Sequence, residues 1–142
     1  MRWFLAFLSL AASPAGAWEF TPNPICTLAQ ASEVSSVTVT YDPRVPEYAI
    51  ALRRTVPWPK DAVFAIRFEG PRGLTISTSR HQLSEGGTVL TVTDRGFGNV
   101  LDGLQFNETA TALTGSAALT VPLEGAAQEV EKFRACTKAA SV

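Results

Sequence analysis

Apolar residues recur at every second position through the middle of the chain. Val37, Val39 and Tyr41 alternate with Thr38 and Thr40, and Tyr48, Ile50 and Leu52 alternate with Ala49, Ala51 and Arg53. Phe64, Ile66 and Phe68 do the same around Ala65 and Arg67. A period of two sends one set of side chains to a covered face and the other toward solvent, as in a strand of a sheet with one buried side. Turn chemistry separates these runs. Asp42-Pro43 starts one turn, and Pro46 holds the next strand back to about Glu47. Val56-Pro57-Trp58-Pro59-Lys60-Asp61 is a connection, because two prolines cannot both sit in a central strand. Gly70-Pro71-Arg72-Gly73 reverses the chain, so that Leu74–Thr78 returns as the hairpin partner of Val63–Phe68. Ser84-Glu85-Gly86-Gly87 precedes a further strand, Thr88–Thr93. The expected fold is mainly β with a C-terminal α-helix: an antiparallel β-sandwich or open barrel of about six or seven short strands.

The pattern changes after Asp94. Asn99–Phe106 reads as one or two helical turns with Asn99 as N-cap. Thr109–Leu113 and Ala117–Val121 read as a hairpin around Thr114-Gly115-Ser116, although their alanine content leaves a helix open. Ala126, Val130, Phe133 and Thr137 share one helical face, with acidic Glu129 and Glu131 early and Lys132, Arg134 and Lys138 late, as the helix dipole favours. That segment predicts a C-terminal helix packed on the sheet.

Residues 1–17 have the order of a secretory leader. Arg2 supplies the charge, Trp3 to Ala12 the apolar stretch, and Ala15-Gly16-Ala17 a small-residue cleavage site before Trp18. The apolar stretch is shorter than the roughly 20 residues needed to cross a bilayer, and no later segment comes closer. The expected product is one exported domain, 18–142, periplasmic or secreted. In an oxidising compartment Cys26 and Cys136 are expected to form a disulfide closing a loop of about 110 residues, for which the chain-entropy relation gives roughly 4.7 kcal/mol as an upper figure. A redox pair is the competing reading, but it ordinarily uses a C-x-x-C spacing beside a βαβ unit.

Composition narrows the function classes. Twelve Lys and Arg balance 13 Asp and Glu, so no basic surplus exists to neutralise a phosphate backbone, and no nucleic-acid partner is expected. Two cysteines and one histidine are little material for a metal cage, and no cofactor is expected. Asp94-Arg95-Gly96-Phe97-Gly98-Asn99 follows a strand as a dinucleotide loop would, but its third glycine position is Leu101. A turn with its glycines at positive φ is the simpler expectation. The three lysines follow Pro59, Glu131 and Thr137, so the Gly-Lys-Ser/Thr of a P-loop is missing.

His81 could serve a Ser-His-acid triad with Ser77, Ser79 or Ser84 as nucleophile and Asp94 as orienter, yet there is no G-x-S-x-G elbow. Arg67, Arg72, Arg80 and Arg95 could stack into an anion-binding surface with His81, or spread over a solvated face beside Glu69, Glu85 and Asp94. Trp58 between two prolines could be an exposed anchor for a partner or fold back to cap the core. Asn107-Glu108-Thr109 matches a glycosylation sequon.

The chain resembles a group of short, uncharacterised exported proteins of alphaproteobacteria. The resemblance rests on Trp18 to Cys26, Phe64 to Pro71, Thr75 to His81, Thr91 to Leu101, and Phe133 to Cys136. Members sometimes go under the name of a component of the DNA-repair excinuclease ABC, which does not suit a short exported chain without a P-loop. Leu119-Thr120-Val121-Pro122-Leu123, before a helix ending in Phe133 and Cys136, is also similar to the invasion-associated locus B proteins, exported envelope proteins. Neither resemblance brings an active site with it. The expected function is therefore a non-enzymatic periplasmic or secreted protein that binds an envelope protein or glycan. Its contact surface would carry Trp58, Arg72, Arg80, His81, Asp94, Arg95 and Asn99. The alternative is a small periplasmic hydrolase using His81 with Asp94 and a nearby serine.

Overall fold

The computed structural model describes residues 17–141. The leader expected over 1–17 therefore lies, save for Ala17, outside the described residues. Ten strands and two helices follow in the order β1 (Glu19–Thr21), β2 (Cys26–Ala31), β3 (Ser35–Asp42), β4 (Glu47–Arg54), β5 (Phe64–Glu69), β6 (Leu74–Thr78), β7 (Gln82–Ser84), β8 (Val89–Asp94), α1 (Gly98–Phe106), β9 (Thr109–Thr114), β10 (Ala117–Pro122) and α2 (Ala126–Ala140). They form two antiparallel sheets, one ordered β1-β2-β3-β4-β8-β7 and the other β10-β9-β5-β6. The mainly β class with a C-terminal helix is as the alternation and the last helical face require.

Register turns alternation into a core. Val39 lies opposite Ile50 on one side and Leu28 on the other, while Val37 lies between Leu52 and Gln30. In the second sheet Ile66 is flanked by Ile76 and Ala112, and Phe68 by Leu74 and Ala110. The buried sides of the sheets, with Val37, Ile50 and Leu52 on one and Ile66, Phe68 and Val121 on the other, meet across a narrow interior that Leu104 of α1 also enters. Each such side chain contributes about 1.5–3 kcal/mol when fully removed from water. The Ala-rich segment at 109–121 is a hairpin rather than a helix, because β9 pairs with both β5 and β10 and buries Ala110 and Ala112 between them.

Ala126, Val130, Phe133 and Thr137 are buried, and α2 packs on β1, β2 and α1. Cys136 reaches Cys26 at the start of β2 in a disulfide with Cα atoms 5.9 Å apart. Two expectations are corrected. Among the described residues there are ten strands rather than six or seven, since β1 and β7 have only three residues each and β2 has little apolar contrast. Asn99 is not an N-cap: α1 begins at Gly98, Phe97 occupies the cap position, and its side chain makes no capping hydrogen bond.

Candidate functional site

The chain crosses from the smaller sheet to the larger through Ser79-Arg80-His81, between β6 and β7. On the larger sheet, β7 covers only Val89 to Thr91 of β8 and, among the described residues, leaves Val92 to Asp94 without a neighbouring strand on that side. Coverage fails here. On β5 the inward residues Phe64, Ile66 and Phe68 are buried, yet Leu74, Ile76 and Thr78 on β6 remain half-buried. Val92 on β8 is likewise half-buried. Between them opens a cleft of about 570 Å³. Ile50, Phe64, Ile66, Ile76, Val92 and Val100 give it an apolar interior, and Ser77, Thr78, Arg80, Asp94 and Asn99 stand among its polar lining.

The segment Gly96-Phe97-Gly98 forms another part of the lining. Phe97 turns inward, 5% exposed, with its ring 5.4 Å from that of Tyr48. Neither flanking glycine takes positive φ, contrary to the turn expected from the sequence. A side-chain carbon at either would meet nothing within 4 Å. Small residues at 96 and 98 thus leave space beside the cleft, while Phe97 is the anchor.

The candidate residues divide accordingly. Arg80, Asp94, Asn99 and Ser77 line the cleft. The Arg80 guanidinium is 3.7 Å from the Asp94 carboxylate, with both side chains well exposed, a geometry worth at most about 1 kcal/mol. Asp94 Oδ1 also accepts the Arg95 backbone N–H at 2.7 Å. His81 does not join Asp94. Its Nε2 lies 3.0 Å from the carbonyl oxygen of Asp61, to which it donates, and its ring packs near Phe64. The triad expected around His81 is therefore not assembled: the hydrogen bonds of the imidazole and of the acid lead to different partners.

Arg72 belongs to another place, at the far end of α1. Its guanidinium lies 4.4 Å from the Phe106 ring centroid, and its backbone is held by Asn107. Arg67 pairs with Glu69, so the four arginines do not stack into one surface. Trp58 takes the second of its two alternatives, folding back onto the core, and so leaves the expected contact surface. It is 3% exposed, its indole N–H donates to the Leu52 carbonyl at 3.1 Å, and Arg54 covers its ring at 4.6 Å. The neighbouring prolines hold the backbone extended, and the ring folds back onto the core where the Leu52 carbonyl receives its N–H. Asn107 of the sequon is buried with its side chain fully engaged, so it presents no accessible amide for a glycan.

Among the described residues no group of three His, Cys, Asp or Glu is placed to hold a metal ion, and no helix is long and apolar enough to cross a membrane. Sequence reasoning placed Ile50, Phe64 and Ile66 on covered strand faces but gave no face to Ile76, Val92 or Val100, and did not separate the cleft from the closed core. The available signal was that β6 lies at the end of its hairpin and carries only Ile76 between hydroxyl residues. Comparison with protein families, curated proteins and solved structures returns no match to the chain.

Proposed function

We propose that this chain is an exported binding protein that takes an apolar group of its ligand into the cleft between β6 and β8, and that it binds rather than transforms that ligand. The observation that carries this reading is the apolar interior left uncovered at one end of an otherwise closed core, with polar groups beside it. Ligand pockets pair an apolar cavity of a few hundred Å³ with polar groups that orient the guest, and here apolar and polar surface share the lining about equally. The disulfide between the chain ends is compatible with an oxidising compartment, and the leader-like order of residues 1–17 supports export. The separate hydrogen bonding of His81 and Asp94 speaks against the Ser-His-acid alternative.

N-phenyl-1-naphthylamine, an apolar dye that brightens on leaving water, tests the reading. Its fluorescence is expected to rise with the disulfide-bonded protein, and Ile76→Trp, which fills the cleft, is expected to weaken binding at least tenfold. Val92→Phe provides the same test from the opposite wall. No enhancement with the wild-type protein, or dye binding indifferent to both folded variants, would contradict it.

A further inference from the structure

We infer that the occupant of this cleft is an extended peptide segment, held by adding a strand to the free edge of β6. The inference rests on the binding role proposed above and names its ligand class. β6 pairs with β5 on one side, and among the described residues the order of its sheet gives it no strand on the other. Alternate backbone N–H and C=O groups along such an edge point outward without a strand partner, a ready template for another chain. Its five residues span about 17 Å at the usual strand rise, enough for a segment of similar length.

The edge and the cleft are parts of one surface, since Ile76, Ser77 and Thr78 belong to both. A strand added here would send alternate side chains toward the apolar interior of Ile50, Ile66 and Val92, as strand-addition recognition requires. Within the strand itself the devices that blunt an exposed edge are missing, since Leu-Thr-Ile-Ser-Thr has no charge, no proline and no bulge-forming glycine, and α1 touches β6 without pairing with it. The lack of net charge agrees with the same guest. β6 carries no charge, and Arg80 and Asp94 face each other, so the surface has no net charge to select a cationic or anionic head group. An uncharged extended backbone, rich in both donors and acceptors, suits it better than a charged amphiphile.

A randomised heptapeptide library displayed on phage, panned against the disulfide-bonded protein and eluted with N-phenyl-1-naphthylamine, provides the test. Enriched peptides are expected to alternate apolar and polar residues and to slow amide exchange along Leu74–Thr78. N-methylation of peptide amides is expected to weaken binding at least tenfold at alternate positions and to leave it nearly unchanged at the intervening ones. Dye binding without any enriched peptide would overturn the peptide assignment while leaving the cleft's binding role standing. So would binding indifferent to N-methylation at every position, or self-association of the free protein through β6. Absence of dye binding would instead remove the role on which the assignment rests.

Discussion

Asn107 stands just past the last turn of α1, where its Oδ1 accepts the Arg72 N–H at 3.0 Å and its Nδ2 donates to the carbonyls of Arg72 and Gly103 at 2.9 and 3.1 Å. One amide thus joins the β5–β6 turn to the end of the helix that borders the cleft. Gly70 fits against the Asn107 backbone at φ +152, where a Cβ would meet it at 2.7 Å. Asn107→Ala leaves two carbonyls and one N–H without these partners and is expected to cost about 2–4 kcal/mol, from roughly 1 kcal/mol per lost bond and further desolvation. Chemical denaturation of wild type and variant reads the difference directly; a change below about 1 kcal/mol would contradict the role given to this side chain. None of this was legible in Asn107-Glu108-Thr109, where the same asparagine looked like a surface acceptor. Trp58 shows the same limit. A tryptophan between prolines specifies an extended backbone, but its direction depends on the Leu52 carbonyl six residues back.

At the scale of elements, the attachment of α2 to the N-terminal strand β1 runs through Glu129. Its carboxylate accepts from Lys132 Nζ at 2.9 Å and from the Phe20 backbone N–H at 3.0 Å. The Lys132 ammonium, with the Phe20 N–H behind it, holds this carboxyl below the ordinary glutamate range. A carboxyl with a lowered folded-state pKa stabilises the fold above its unfolded value, about 4.3, and that contribution is lost as pH falls through the folded value. Glu129→Gln is expected to lower stability at pH 7 by about 1 kcal/mol, with the gap to wild type closing toward pH 3. A gap of constant size across that range would contradict the assignment. Elements with strong period were legible in advance: β3 to β6, β8 and α2 lie within a residue or so of the alternation or helical face that predicts them. The elements that were not are β1 and β7, with three residues each, and β2, whose covered face mixes Cys26 and Leu28 with polar Gln30 against Thr27, Ala29 and Ala31. Their strand state comes from pairing with a neighbour, which local sequence does not encode.

For the molecule as a whole, the chain ends are joined and one side of the sandwich is open. The disulfide links residues 110 apart in sequence, placing α2 against β1 and β2 with Phe133 fully buried. The opposite arrangement holds at β6 and β8, where the two sheets part and Ile76 and Val92 lack a covering layer among the described residues. Alternation identified which side chains turn inward, but the closeness of the two sheets at each point depends on strand order and on where Ser79–His81 crosses. That is why Arg80 and Asp94 could be named without knowing that they border an apolar cleft, and why Arg72 could not be separated from them.

The chain has four isoleucines, Ile25, Ile50, Ile66 and Ile76, and the last three line the cleft. Their δ-methyl resonances therefore give a direct test of the binding role during titration with N-phenyl-1-naphthylamine. The signals of Ile50, Ile66 and Ile76 are expected to shift in a saturable manner with one midpoint, while Ile25 stays in place. Shifts absent from all four, or of equal size at Ile25, would contradict the claim that this cleft is where the protein binds.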